Sequence, residues 1–134
     1  MRFFAAFLLL PTLVQAQLSQ IDMTEREVWD FLGNNTIGSN DFGDDNSIEY
    51  HGTNGQALWF FEEELQVGYF RVKGNRVCYT YEGEDLRTWF CWIFKKDRRT
   101  GEIWQWTDNG EENATGYRMF IVGRGDLATP QDEA

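Results

Sequence analysis

From residue 47 onward, apolar and polar positions alternate in short runs separated by Gly-, Asn- and Asp-rich turns. SIEYHG sets Ile48 and Tyr50 on one face against Ser47, Glu49 and His51 on the other. ALWFFEE is apolar on both faces, and LQVGYFRV divides Leu65, Val67 and Tyr69 from Phe70 and Val72. Lys73-Gly74-Asn75 is a tight-turn signal before NRVCYTY, and Glu82-Gly83-Glu84-Asp85 leads into LRTWFCWIFKK. Asp97 to Gly101 turns the chain again into EIWQWT, and Asp108-Asn109-Gly110 opens the loop before GYRMFIVG. Strands at this spacing predict a mainly β fold, an antiparallel meander that forms a curled sheet or small barrel.

One short N-terminal helix accompanies it. In TEREVWDFLGNN, Thr24 can cap, Glu27 completes a capping box and Gly33 ends the helix. Val28, Phe31 and Leu32 share its buried face. Residues 34–47 are rich in Asn, Asp, Gly and Ser and predict a loop or a weak edge strand.

The stretch RTWFCWIF (87–94) is apolar on both faces, as a strand is when it is central in a layered fold or lines a cavity. Cys91 shares a face with Trp89 and Ile93, while Phe90, Trp92 and Phe94 point the other way. Pairing Cys78 with Cys91 sets 80 opposite 89 and 82 opposite 87, with a loop at 83–86. A hairpin turning at Gly83-Glu84-Asp85 has this register, so a cross-strand disulfide Cys78–Cys91 is expected.

The cysteine pair also bears on compartment, since disulfides persist where the surroundings are oxidising. MRFFAAFLLLPTLVQAQ reads as a signal peptide over 1–16, with an apolar run too short to span a bilayer. A single β-rich domain follows over 17–125, then a polar tail over 126–134 that contains Pro130 and is expected to fray. The chain is therefore expected to be periplasmic or secreted, with no membrane anchor. Its net charge of −10 disfavours nucleic acid and anionic lipid as partners and leaves a basic protein as a conceivable one.

Candidate chemistry is sparse. His51, the sole histidine, precedes Gly52 and suits a solvent-facing or turn position; Ser47 lies near it, but no nucleophile motif surrounds any serine. Glu49, Glu62 and Glu102 occupy strand positions and read as edge or surface charges. The acidic stretch Asp41–Asn46 departs from EF-hand spacing, and two cysteines with one histidine make a poor zinc site, so no metal and no cofactor are expected. Aromatic platforms remain. Trp59, Tyr79, Tyr81, Trp92, Trp104 and Trp106 are the candidate ligand-binding residues, because ligand cavities are largely apolar with a few polar groups.

Gly68, Phe70, Val72, Cys78, Tyr79, Tyr81, Cys91 and Trp92 form a G-x-[WF]-x-V…C-[YF]-x-Y…C-W pattern. In this the chain resembles small exported proteins of alphaproteobacteria, over about residues 48–92. The resemblance implies a bacterial extracytoplasmic home and brings no catalytic residue. The expected function is non-catalytic: binding a small apolar or sugar-like ligand, or, alternatively, docking a protein partner such as a basic secreted hydrolase that it inhibits. A barrel with an aromatic-lined cavity favours the first; a filled core favours the second.

Overall fold

The computed structural model describes residues 19–42, 45–83, 85–108 and 114–131. A short strand β1 (Gln20–Asp22) precedes helix α1 (Glu25–Leu32). Eight strands follow: β2 (Asn35–Phe42), β3 (Asp45–His51), β4 (Gln56–Phe61), β5 (Glu64–Lys73), β6 (Arg76–Tyr81), β7 (Phe90–Asp97), β8 (Ile103–Thr107) and β9 (Gly116–Arg124). Each pairs antiparallel with the next, and β9 returns to pair with β2, so the meander closes into an eight-stranded up-and-down barrel. Closure removes the sheet edges that an open meander would leave. β1 adds outside this circuit, pairing with the end of β7 where β6 has run out.

One end of the barrel is plugged. Thr24 caps α1 through Oγ1, which accepts from the Glu27 N–H at 3.1 Å, and the Glu27 side chain accepts from the Thr24 N–H, the expected capping box. Lys96 pairs with Glu27, and this hydrogen bond holds the Glu27 carboxyl below its ordinary range. Val28 and Leu32 are wholly buried, and Trp29 packs on Phe70 at 5.3 Å between ring centroids. The helix lies at the end where β5 turns into β6, for the Gly74 N–H donates to Glu25 Oε1. Gly33 follows the helix without a left-handed turn; the positive φ falls on Asn34 instead.

The described residues among 34–47 form strand rather than loop, the second of the two expected alternatives, but not an edge strand. They supply β2 and the start of β3, and β2 closes the barrel by pairing on both sides. Propensity misled here because strand formation depends on packing and pairing context more than on residue type. Gly38 has a specific reason to be glycine: a Cβ there would collide with the Phe120 ring, its partner across β9.

The disulfide Cys78–Cys91 forms between directly opposed residues of β6 and β7 with Cα atoms 4.0 Å apart. Ladder pairing runs on only to Tyr79 and Phe90, so it stops short of the 80–89 and 82–87 pairs that the register implied. Beyond β9, the first residues of the segment expected to fray are tethered. Thr36 Oγ1 donates to the Gly125 carbonyl at 2.7 Å and accepts from the Leu127 N–H at 2.9 Å, and Ala128 is buried.

Candidate functional site: the barrel cavity

Strand alternation decides which side chains face inward. Glu49 on β3 stands opposite Trp59 on β4, and Trp59 opposite Gln66 on β5. Val77 on β6 faces Trp92 on β7, and Phe94 faces Gln105 on β8. These positions line or floor the interior. Near the helix the interior is filled by Leu32, Phe70, Val77 and Phe94. Toward the opposite end it opens into a cavity of about 450 Å³.

Six aromatic residues wall the cavity: Trp59, Phe61, Tyr79, Tyr81, Phe90 and Trp92. The polar groups are few, namely Glu49, Glu62, Gln66 and Gln105. Trp59 stacks on Phe61 with centroids 5.4 Å apart and planes 4° from parallel, and sits 5.4 Å from the Tyr81 ring. Trp92 is held edge-on by Tyr117 at 6.0 Å. Gly68 gives the Tyr81 ring its place, because a Cβ at 68 would meet the ring's Cδ1 at 2.7 Å and the adjoining backbone. Thus placed, the Tyr81 hydroxyl donates to Glu49 Oε2. Phe90 and Glu62 stand exposed at the mouth.

His51 lies behind this wall and is buried, 2 % exposed, contrary to the solvent-facing position expected of it. Its Nε2 is 2.9 Å from Tyr79 Oη and 3.6 Å from Glu49 Oε1, and its ring meets Phe70 edge-on at 5.0 Å. Burial depresses its pKa from 6.5 to about 3, only partly offset by the backbone of Glu49 and Asn35, so the imidazole is neutral near pH 7. Ser47, the serine nearest to it in sequence, has its hydroxyl 3.3 Å from that of Ser39.

Four of the six expected ligand-binding residues, Trp59, Tyr79, Tyr81 and Trp92, come together in the cavity. Trp104 and Trp106 do not. They flank the inward Gln105 on β8 and therefore face outward, where their rings stack at 6.3 Å and Trp106 Nε1 donates to Gln20 Oε1 at 2.8 Å. Glu49, Glu62, Gln66 and Gln105 were missed as cavity residues. For Glu49 the signal was present: the SIEYHG alternation puts Ser47, Glu49 and His51 on one face. That face reads as exposed only if the apolar Ile48 and Tyr50 are assumed to point inward. In the barrel they point out, and a row of Phe120, Ile48, Phe60 and Leu65 crosses the outer surface on either side of Gly38. Glu102 is an outer charge as expected, 3.7 Å from Arg118. The side chains of Asp41–Asn46, the weak calcium candidate, and residues 1–16, the expected leader, lie outside the described residues.

Two hydrogen-bonded pairs, His51 with Tyr79 and Tyr81 with Glu49, stand side by side with His51 Nε2 3.6 Å from the Glu49 carboxylate. Among the described residues no cluster of His, Cys, Asp and Glu is arranged to hold a metal ion. No family model, curated protein or solved structure matches the chain.

Proposed function

We propose that this chain is an exported, non-catalytic domain that holds one small ligand, apolar or sugar-like, inside its barrel. The observation that carries the reading is the cavity itself: about 450 Å³, walled by six aromatic side chains with four polar ones among them. Its volume and lining match those of small-molecule sites, and eight strands give a barrel an interior just wide enough for one small ligand. Export is supported by the leader-like segment 1–16 and by the disulfide, which belongs to an oxidising compartment, the periplasm or the exterior. Tyr79, Tyr81 and Trp92 sit within the pattern that resembles exported alphaproteobacterial proteins, which ties that pattern to the cavity wall as well as to the disulfide.

The test is native mass spectrometry of the protein exported by a bacterial host. The expected spectrum shows a mature chain beginning at Gln17, lacking two thiol hydrogens and carrying a retained extra mass. An apo spectrum, together with tryptophan fluorescence unmoved by panels of small apolar compounds and sugars, would overturn the ligand-binding reading.

A further inference from the structure

On the outside of the barrel, β3, β4 and β5 present a grid whose register is fixed by their ladders. Ile48 stands beside Phe60 and Phe60 beside Leu65; one step along, Tyr50 stands beside Leu58 and Leu58 beside Val67. All six are half-buried, and none belongs to the core or packs against it. No charged side chain interrupts the two rows, because strand alternation turns Glu49 and His51 inward. The apolar surface continues past the grid. Tyr69, the next outward residue of β5, is 47 % exposed, and Phe120 and Val122 of β9 lie over Gly38 on the far side of β3. No element of the described structure forms a second layer here: α1 plugs the barrel end, β1 pairs with β7, and the tail is tethered beside Thr36 on β2.

A contiguous apolar face of this kind marks a partner, and charge indicates which one. With a net charge of −10, two copies of the chain repel and can meet only where charge is absent or paired. The grid meets the first condition and its two ends meet the second. Glu62, Glu63 and Glu64 are exposed at the turn into β5, and Arg71 and Lys73 are exposed at the other end of that strand. If two copies met face to face about a two-fold axis parallel to the strands, acids would meet acids. An axis across the strands reverses one copy instead, lays β5 against β5, and sets the acids of each against Arg71 and Lys73 of the other. A partner of a single charge sign would suit only one of these two ends.

We infer that the outer face of β3–β5 is a self-association surface, on which a second copy of this chain packs with its strands reversed. The apolar rows form the centre of that contact, and pairing of Glu63 with Lys73 closes its rim.

Sedimentation equilibrium of the mature protein tests this. At about 0.1 mM, where even a dimer of micromolar Kd is nearly complete, the mass is expected to be twice that of one chain. A monomer at that concentration would overturn the inference. Leu58→Lys, which places charge within the grid and outside the core, is expected to give a monomer; a dimer that it leaves intact would put the contact on another face and overturn the inference as well. The rim supplies a check that does not burden folding, since Glu63 and Lys73 are both exposed. Glu63→Lys is expected to weaken the dimer at least about tenfold, because the reversal is made twice and sets like charges together. Adding Lys73→Glu is expected to restore most of that loss, and a double variant no tighter than the single one would overturn the reversed arrangement. No residue of the grid lines the cavity, so a monomeric result leaves the ligand reading untouched.

Discussion

Phe90 and Phe94 are the same residue, on the same strand and facing the same way, yet Phe90 is 48 % exposed and Phe94 is 0 % exposed. Between them lies the change from open cavity to filled core. Phe94 sits under α1, and its carbonyl accepts from the Met23 N–H at 3.3 Å while its own N–H donates to the Asn75 carbonyl at 2.8 Å. Phe90 begins β7 at the mouth, where its ladder partner Tyr79 is already a cavity residue. One end of the barrel is thus built for stability and the other for access. The contrast teaches that an aromatic run need not serve a single purpose: the same inward face seals the barrel at one end and lines an open cavity at the other.

The sharpest way to break this comparison is to truncate at the sealed end. Phe94→Ala is expected to cost about 3–5 kcal/mol, as buried phenylalanines do when a cavity is left behind. A fall of that size in the urea unfolding free energy would agree; a loss under about 1 kcal/mol would mean that the helix end is loosely filled.

A smaller effect comes from the boundary between the two ends, where His51 sits. Its folded pKa of about 3 lies below the unfolded value of 6.5, so between those values the unfolded chain binds a proton that the folded chain refuses. Stability is therefore undiminished by this group above pH 6.5 and falls as the pH drops toward 3. From pH 7 to pH 5 the loss should be about 2 kcal/mol, a window in which the carboxylates contribute less. His51→Gln should flatten that part of the profile, and denaturation at both pH values would show it; an equal slope in the variant would place the acid sensitivity elsewhere.

At the open end the effect should be smallest. Phe90→Ser is expected to change stability by less than about 0.5 kcal/mol, the usual range for exposed positions. A cost near that of Phe94→Ala would mean that the mouth is packed rather than open.

Much of this was legible in the chain. Helix α1 follows from Thr24, Glu27 and the spacing of its apolar residues, because capping and amphipathic packing are local physics. The disulfide followed from the register of a hairpin, and four of the six aromatic candidates proved to be cavity residues. Other features could not be read locally. β2 contains Asn35, Gly38 and Ser39, residues poor in strand propensity, and it exists because β3 and β9 both hydrogen-bond to it. Trp104 and Trp106 share a face as alternation requires, yet alternation is silent on whether that face is inner or outer.

That last ambiguity separates what the sequence by itself determined from what only the tertiary structure decided. Order of strands, turns, helix caps and the cysteine pairing are written in residues close together along the chain, where turn chemistry and period-two patterning suffice. Which face of each strand becomes the interior is set by the direction in which the sheet closes, a property of β9 meeting β2 across most of the chain. Closure turned Ile48 and Tyr50 outward, brought Glu49 and His51 in among the tyrosines, and left the space beside Trp59 and Trp92 unfilled. The cavity exists because α1 fills only one end of a barrel that eight strands make wide enough to need filling at both.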